Sequence, residues 1–173
     1  ERGQVTIPFE YVGNLIVINA RINNGQEAKF IVDTGASQTV IDKATAQAIG
    51  PLTTKTFNVT ALAKAVPLSY TKLDKFQIGD LNIKNVSSLV TDLSTFSTSI
   101  GQRPGGLIGA NILSRFLVTF DFQDKKLILS DPLNVSVPDG AIVVPTSPGF
   151  ASTGLVVNGL LEDKPMNFLV DTG

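Results

Sequence analysis

The chain has 173 residues, of which 43% are hydrophobic and 17% charged, and its formal net charge is −1. These values are typical of a folded globular protein rather than a disordered one. With no basic stripe, we expect no nucleic-acid binding through phosphate contacts. Histidine and cysteine are absent, which excludes a Ser-His-Asp triad, a Cys-His pair, disulfides and a His- or Cys-ligated zinc. Carboxylates, Lys and Tyr remain for acid-base chemistry.

Short apolar or alternating runs, separated by Gly, Pro and Asn, predict an all-β fold with about two short helices. The predicted strands are 5–9, 15–22, 28–32, 39–41, 54–61, 68–78, 81–90, 118–122 and 126–129. Hairpin turns are predicted at 23–25 and 123–125. Asp42 is expected to cap a helix that ends before Gly50, and a second short helix is expected over 111–116. The longest apolar run is too short to cross a bilayer, so we expect no membrane insertion.

The domain organisation is predicted from a change in composition and from a repeat. Pro, Asn, Asp and Gly concentrate between residues 130 and 140, which is typical of a linker. We therefore divide the chain into a lobe over 1–131, a linker over 132–140 and the start of a second, incomplete lobe over 141–173. The run Phe30-Ile31-Val32-Asp33-Thr34-Gly35 recurs as Phe168-Leu169-Val170-Asp171-Thr172-Gly173, and Ile7-Pro8 recurs as Val144-Pro145. A repeat this long indicates duplication of a whole lobe.

The Asp-Thr-Gly triplets are the main candidates for a chemical site. Each follows an apolar strand, so the acid is expected at the edge of a core. Gly35 permits close approach of the backbone and can donate its N–H to the Asp33 carboxylate. Thr34 can use its hydroxyl inside the turn or across to a partner loop, and Ser37 is placed to bond the outer carboxylate oxygen. A lone triplet of this kind is more often a surface turn, but the apolar flanks and the second copy favour a functional site.

With the motifs Phe30-Ile31-Val32-Asp33-Thr34-Gly35-Ala36-Ser37 and Gly106-Leu107-Ile108-Gly109, the chain resembles the retropepsin-like aspartic proteases, most of all the bacterial type with two lobes in one chain. The resemblance covers residues 5–130 and, as the opening of a second copy, 141–173. It implies a closed β-barrel lobe covered by a flap hairpin. It also implies that Leu107, Ile108 and Gly109 pass behind the catalytic loop and support it.

The resemblance further implies an aspartic endopeptidase that acts on peptides or unfolded proteins without a metal or cofactor. Two carboxylates about 3 Å apart share one proton and activate a water molecule. The implied catalytic residues are Asp33 and Asp171, the implied loop-supporting residues are Thr34, Gly35, Ser37, Thr172 and Gly173, and the implied flap tip is Leu62, Ala63, Lys64 and Ala65. This tip departs from the glycine-rich pattern of the family.

Several alternatives remain open from the sequence. The dyad could be completed by further residues of a second lobe, which would pair Asp33 with Asp171, or by a homodimer that pairs Asp33 with its counterpart in a second copy. The third alternative is that the chain is an incomplete and inactive fragment. We expect the chain to be a piece of a longer protein in which Asp171 would be poorly held. A non-catalytic peptide-binding or dimerisation module of the same fold is the alternative function. From the resemblance and the lack of cysteine we expect an extracytoplasmic location, periplasmic or secreted.

Overall fold

A computed structural model describes residues 4–50, 54–61, 64–133, 135–146 and 154–173, with 54–61 and 64–68 described by their backbone only. Most of this part of the chain is strand. The strands are β1 Val5–Pro8, β2 Glu10–Val12, β3 Leu15–Ile22, β4 Glu27–Val32, β5 Thr39–Asp42, β6 Thr54–Ala61, β7 Lys64–Ile78, β8 Leu81–Thr91, β9 Gly106–Ile108, β10 Leu117–Asp121, β11 Lys126–Ser130, β12 Leu155–Leu161 and β13 Lys164–Val170. The helices are α1 Lys43–Ala48, α2 Ser97–Ile100 and α3 Ala110–Leu113, and a 3-10 turn covers Ser94–Phe96.

Six strands form a closed barrel in the order β3, β4, β9, β5, β8 and β7. The ring closes because β7 also pairs with β3, through Arg21 opposite Gln77 and Ile22 opposite Phe76. Strand β2 extends the ring at β3, and β6 pairs with β7 as a hairpin. The predicted all-β lobe with a closed barrel is therefore confirmed.

The barrel interior is filled by aliphatic side chains around two phenylalanines. Phe30 and Phe76 are both fully buried, and their ring centres lie 5.1 Å apart in an edge-to-face arrangement. Side chains alternate along β4, so Phe30 and Val32 enter this core while Ile31 points to the other face, into a smaller apolar cluster. The second half of β4 is thus buried on both faces, which gives the residue that follows it a rigid support.

A separate antiparallel sheet of β1, β11 and β10 lies beside the barrel. The turns that follow β3 and β10 match the predicted hairpins. In them Asn23 and Lys125 adopt φ values of 49° and 53°, which short hairpin turns require.

Strands β12 and β13 form a hairpin that repeats the β3–β4 hairpin in both sequence and direction. They pair from Leu155 opposite Val170 to Leu161 opposite Lys164, through a turn in which Glu162 and Asp163 both have positive φ. The repeated apolar residues have different burial in the two copies. Phe30 is fully buried, whereas Phe168 is 37% exposed.

The helices agree only partly with the prediction. Helix α1 begins after Asp42, whose side chain accepts from the Ala44 N–H, as expected. Helix α3 begins earlier than predicted, because the Gly109 carbonyl already accepts from the N–H groups of Ile112 and Leu113. The 3-10 turn and α2 were not predicted, and neither were strands β2 and β9. No helix in the described part of the chain is long and apolar enough to span a membrane.

Candidate active site

Strand β4 delivers Asp33 into a loop that fixes its carboxylate. The Asp33 N–H donates to the Ile108 carbonyl at 3.0 Å, which extends the parallel β4–β9 ladder by one residue. The Ala36 N–H donates to Asp33 Oδ1 at 2.8 Å, and the Gly35 N–H is also directed at this carboxylate. These backbone N–H groups hold the Asp33 carboxylate in one orientation.

Strand β13 delivers Asp171 in the same way at the second triplet. The Gly173 N–H donates to Asp171 Oδ1 at 3.0 Å. Asp171 is exposed and Asp33 is half-buried, so the first triplet is the more enclosed of the two.

The two triplets lie face to face, and each carboxyl group lies against the glycine of the other. A Cβ atom built on Gly35 would lie 2.5 Å from the Asp171 Cγ, and one built on Gly173 would lie 2.6 Å from the Asp33 Cγ. No side chain larger than hydrogen fits at either glycine without displacing a carboxyl group. The arrangement is therefore reciprocal, as expected of two copies related by an approximate two-fold axis.

The two threonines connect the triplets through hydrogen bonds. The Thr34 hydroxyl donates to the Val170 carbonyl at 2.6 Å, and the Thr172 hydroxyl donates to the Val32 carbonyl at 2.8 Å. The Thr34 N–H in turn donates to Thr172 Oγ1 at 3.2 Å. The sequence left open whether the Thr34 hydroxyl bonds within its own turn or to the partner loop. In the structure it bonds to the partner loop.

The surroundings of Asp33 favour its protonated form. Burial raises the pKa of Asp33 above the ordinary 3.8, and the nearby Asp171 carboxylate raises it further. The backbone N–H groups of Ala36 and Gly35 act in the opposite direction without cancelling this effect. A carboxyl group with a raised pKa beside a second carboxylate is able to retain a proton that the two groups share.

Leu107, Ile108 and Gly109 lie directly behind the first triplet. Strand β9 pairs with β4, with Leu107 opposite Ile31 and Ile108 opposite Val32. A Cβ on Gly109 would lie 2.5 Å from the Gln38 carbonyl carbon, so only glycine permits the close approach of this segment to the loop. The Ala110 N–H then donates to the Ala36 carbonyl at 2.8 Å.

Two of the predicted site features are placed differently or only in part. The Ser37 carbonyl accepts from the Asn111 N–H, and within the described residues its hydroxyl makes no hydrogen bond to Asp33. Leu62 and Ala63 lie outside the described residues. Lys64 and Ala65 begin strand β7 opposite Ala61 and Thr60, so the hairpin arms extend farther than the predicted four-residue tip allowed.

Sequence reasoning missed a polar contact behind the loop. The Asn111 side chain accepts from both the N–H and the hydroxyl of Thr39, at 2.8 Å each, and donates to the Ser87 carbonyl at 2.7 Å. It thereby ties the start of β5 to β8 and to α3. The sequence feature that could have indicated this contact is the position of Asn111, two residues after Gly109, because Gly109 lies next to the loop that carries Asp33.

Comparisons with known proteins agree with this geometry. A family model described as Aspartyl protease matches residues 18–112, which is more than half of the chain. The chain belongs to the aspartyl protease family. Its structure is similar to the crystal structure of a retropepsin-like aspartic protease from Rickettsia conorii, with 29% sequence identity and a TM-score of 0.52, over 75% of this chain and 90% of that chain. No curated protein matches the sequence.

The region of the chain that matches the family model includes the first Asp-Thr-Gly triplet and the Leu107-Ile108-Gly109 segment. It ends before the second triplet. Among the described residues, no group of three or more acidic side chains is arranged to hold a metal ion. The resemblance to retropepsin-like proteases inferred from the motifs is confirmed.

Proposed function

We propose that the chain is an aspartic endopeptidase whose two catalytic carboxylates are Asp33 and Asp171. The observation that carries the proposal is the reciprocal placement of each carboxyl group against the glycine of the other triplet. Pairing within one chain is favoured over pairing between two copies, because Asp171 occupies the position beside Asp33 that a second Asp33 would need. Membership of the aspartyl protease family supports the same conclusion.

The chemistry follows from the electrostatics of the pair. Two adjacent carboxyl groups hold one proton between them, which is the established behaviour of aspartic protease dyads, and the titration belongs to the pair. The ionised member takes a proton from a water molecule, and the oxygen of this water attacks the peptide carbonyl carbon. The protonated member donates its proton to the carbonyl oxygen. Burial and the neighbouring Asp171 carboxylate raise the pKa of Asp33, which favours retention of one proton by the pair.

The remaining loop residues are proposed to hold this geometry during the reaction. Thr34 and Thr172 fix the distance between the two loops through their hydrogen bonds across the pair. The backbone N–H groups of Ala36 and Gly173 orient the two carboxylates. The β6–β7 hairpin is proposed as the flap that covers an extended peptide, since antiparallel strands can bind a peptide backbone by strand addition.

The proposal is tested by incubating the protein with an unfolded substrate protein at mildly acidic and at neutral pH. Asp33→Asn and Asp171→Asn are each expected to lower the cleavage rate by at least about 100-fold, the usual contribution of a catalytic acid or base. Asp139→Asn is the matched control, because Asp139 is exposed and lies outside the strands. Unfolding curves of all three variants show whether they fold.

The outcomes separate the possible functions. Loss of cleavage in both site variants, with retention in the control, supports the dyad proposed here. Loss in Asp33→Asn alone would instead indicate a dyad formed by two copies of the chain. A parent protein that binds the unfolded substrate without cleaving it would identify the chain as a peptide-binding module.

A further inference from the structure

The β12–β13 hairpin contacts the first Asp-Thr-Gly triplet at a point away from the two threonine hydroxyls. The Leu155 N–H, at the start of β12, donates to the Thr34 carbonyl at 3.3 Å. Gly154, the residue before β12, is buried. A Cβ atom built on Gly154 would lie 3.1 Å from the Gly35 carbonyl oxygen and 3.2 Å from the Thr34 carbonyl oxygen. The backbone of residues 154–155 therefore packs directly on the backbone of the first triplet.

The strand register explains why a glycine stands at this contact. Leu155 begins the β12–β13 ladder opposite the residue before Asp171, so continuing the register by one residue places Gly154 opposite Asp171. Continuing the β3–β4 ladder in the same way places Leu15 opposite Asp33. The first copy thus has leucine where the second has glycine. A side chain is disfavoured at Gly154 because φ there is 80° and the carbonyls of the first triplet occupy the space.

The contact runs in one direction, from the second hairpin to the first triplet. The residue of β3 that corresponds to Leu155 is Ile16, and on that edge of β3 strand β2 places Tyr11 opposite Ile16. Within the described residues, no backbone N–H of the β3–β4 hairpin donates to the Thr172 carbonyl. The contact therefore acts on the first catalytic loop and has no described counterpart on the second.

The peptide group between Thr34 and Gly35 links this contact to the Asp33 carboxylate. Its carbonyl accepts from the Leu155 N–H, and its N–H is directed at Asp33. A peptide group is planar, so a displacement of its oxygen also moves its N–H. A hydrogen bond accepted at the oxygen also polarises the group and strengthens the bond that its N–H donates. The position of residues 154–155 is thus transmitted to the carboxylate through a single peptide group.

Few other groups act on the Asp33 carboxylate. Burial is the largest influence on its pKa and raises it, and Asp171 raises it further. Asp171 is the one ionisable side chain within the described residues that acts on this pKa. The N–H groups of Ala36 and Gly35 lower it. A weaker bond from the Gly35 N–H would therefore raise the pKa of Asp33.

We propose that the β12–β13 hairpin positions the catalytic Asp33 carboxylate through the Thr34–Gly35 peptide group, and that Gly154 and the Leu155 N–H are the positioning groups. This inference rests on the proposed protease activity and adds a link between its two acids besides the threonine hydroxyls. Because the two acids share one proton, an effect on one of them appears in the titration of the pair. Moving or removing the contact is therefore expected to change the pH dependence of the reaction as well as its rate.

The first experiment measures kcat and the pH profile of kcat/KM for the parent and Gly154→Ala, on a peptide that the parent cleaves. The added methyl group pushes the two carbonyls away by a few tenths of an ångström. We expect kcat to fall by about 10-fold, less than the roughly 100-fold that follows a displacement of 1 Å. The acidic limb of the profile should move to higher pH by about 0.3–1 pH unit, as expected for a weakened hydrogen bond.

Gly140→Ala is the matched control, because Gly140 has φ of 76° and no atom lies within 4 Å of the position of a Cβ there. It should retain the rate and the pH profile of the parent. The same shift in Gly140→Ala would assign the effect to backbone strain and overturn the inference. A lower kcat in Gly154→Ala with an unchanged profile would overturn it too, because a smaller active fraction lowers kcat without moving the profile. An unchanged kcat and profile would have the same meaning.

A double variant separates the two surfaces that the new methyl group would touch. The Cβ at Gly154 would also lie 2.9 Å from Cδ1 of Leu169, the side chain two residues before Asp171. Gly154→Ala combined with Leu169→Ala removes that contact and keeps the one with the carbonyls of the first triplet. The profile of the double variant should remain shifted, and a return to the profile of the parent would overturn the proposed route through the peptide group.

The second experiment removes the Leu155 N–H without adding a group. The α-hydroxy analogue of leucine, incorporated at position 155, replaces the N–H by an ester oxygen and keeps the side chain. The acidic limb should again move to higher pH by about 0.3–1 pH unit. Glycolic acid at position 159 is the control, because Gly159 lies farther along β12, opposite Met166. This experiment decides the question if Gly154→Ala does not fold, and a profile equal to that of the parent would overturn the role of the Leu155 N–H.

Failure of this inference is distinguishable from failure of the proposed function. If Asp33→Asn cleaves like the parent, the protease proposal is wrong. NMR titration of the Asp33 carboxyl carbon in the parent and in the ester variant then still tests the link, and a higher pKa in the ester variant supports it. If Asp33→Asn is inactive while the variants at positions 154 and 155 keep the profile of the parent, the dyad stands and the contact has no part in positioning Asp33.

Discussion

The carboxyl group of Asp171 lies against the α-carbon of Gly35, although 136 residues separate the two in sequence. A methyl group at Gly35 would lie 2.5 Å from the Asp171 Cγ and within 2.7 Å of both carboxylate oxygens. Real Cβ atoms do not approach other atoms this closely. The glycine of the first triplet is therefore required by the acid of the second, which gives a direct test of their pairing.

Gly35→Ala should displace Asp171 while leaving the barrel intact. A shift of about 1 Å in a catalytic group is enough to lower the rate by about 100-fold, so we expect a loss of at least that size in the cleavage assay. The free energy of unfolding of the barrel should change little, because the clash is with an exposed side chain. Parallel measurement of cleavage and of urea unfolding checks both statements.

Gly101→Ala is the control for the effect of adding a methyl group to a glycine. Gly101 has φ of 74°, and no atom lies within 4 Å of the position that a Cβ would take there, so its substitution introduces backbone strain without a clash. We expect it to destabilise the fold by about 1 kcal/mol and to retain cleavage. Equal activities for Gly35→Ala and the parent would contradict the paired geometry.

The hydroxyl of Thr34 is predicted to hold the β12–β13 hairpin in place. Thr34→Val keeps the shape of the side chain and removes its bond to the Val170 carbonyl, a bond with a net contribution of about 0.5–1.5 kcal/mol. Because β13 is exposed along its whole length and no residue of β12 is fully buried, this loss should promote local opening of the hairpin more than global unfolding. Hydrogen exchange of the β13 amides should become faster by about 2- to 10-fold.

Thr34→Ser retains the hydroxyl and serves as the matched control. Its β13 amides should exchange at a rate close to that of the parent. Faster exchange throughout the barrel in Thr34→Val, instead of in the hairpin alone, would show that Thr34 stabilises its own lobe and does not connect the two triplets.

Asp33 should make the folded protein less stable as the pH rises. The pKa of Asp33 is raised above 3.8 in the folded protein, so the folded state binds the proton more tightly than the unfolded state. The resulting contribution to the free energy of unfolding is fully present below about pH 4 and is lost as the pH rises through the raised pKa. Asp33→Asn removes it, so the variant should gain stability relative to the parent as the pH increases from 4.

Asp42 should affect the pH dependence of stability in the opposite direction from Asp33. Burial alone would raise the pKa of Asp42, but hydrogen bonds from Arg103 and from the N–H groups of Leu93 and Ala44 outweigh burial and lower the pKa below 3.8. Its stabilisation is present above about pH 4 and is lost as the pH falls through the lowered value. Urea unfolding of the parent and Asp33→Asn between pH 3 and pH 7 measures both. A stability difference between them that does not vary with pH would contradict the raised pKa.

The sequence predicted the barrel strands well because their apolar runs and turn residues are local signals. Leu15–Ile22 and the turn at Asn23 were predicted to the residue. Strand β9 was missed because its three residues, Gly106–Ile108, are too few to show a period, and long-range pairing with β4 and β5 defines it. The 3-10 turn Ser94–Phe96 and helix α2 were missed for a similar reason, since they are stabilised by the apolar surface beneath them and by the bond from the Leu93 N–H to Asp42 rather than by their own sequence.

The candidate site was predictable in its residues but not in its assembly. Each Asp-Thr-Gly triplet is visible in the sequence, and so is its repetition. The position of Asp171 beside Gly35 depends on how the β12–β13 hairpin packs on the barrel, which no local pattern specifies. The contact of Asn111 with Thr39 joins elements 72 residues apart and is likewise a product of topology.

Asn111 is predicted to stabilise the loop that carries Asp33. Asn111→Ala would leave the Thr39 N–H and the Ser87 carbonyl without their partner in a buried region, at a cost of about 2–4 kcal/mol. The backbone N–H of residue 111 bonds the Ser37 carbonyl and is retained in the variant. A shift of this residue would therefore move the loop that carries Asp33, so we expect the cleavage rate to fall together with stability. Ser114→Ala, at the exposed end of α3, should change neither quantity. Full stability in Asn111→Ala would show that water replaces the amide.

Replacing Thr71 by valine is predicted to increase the free energy of unfolding. Its hydroxyl is fully buried on β7 and, within the described residues, has no hydrogen-bond partner; the same holds for the hydroxyl of Ser88, the residue paired with it on β8. Thr71→Val keeps the volume and the β-branched shape and removes an unsatisfied polar group. We expect urea unfolding to show a gain of about 1 kcal/mol.

The matched control for this gain is Thr119→Val, which makes the same exchange at an exposed position of the edge strand β10. Its free energy of unfolding should stay within about 0.5 kcal/mol of the parent. Combining Thr71→Val with Ser88→Ala should give at least the gain of Thr71→Val alone, because the two hydroxyls make no bond to each other that could be broken. A loss of more than about 1 kcal/mol in Thr71→Val would mean that the hydroxyl bonds a buried water molecule, since only a satisfied group is expensive to remove.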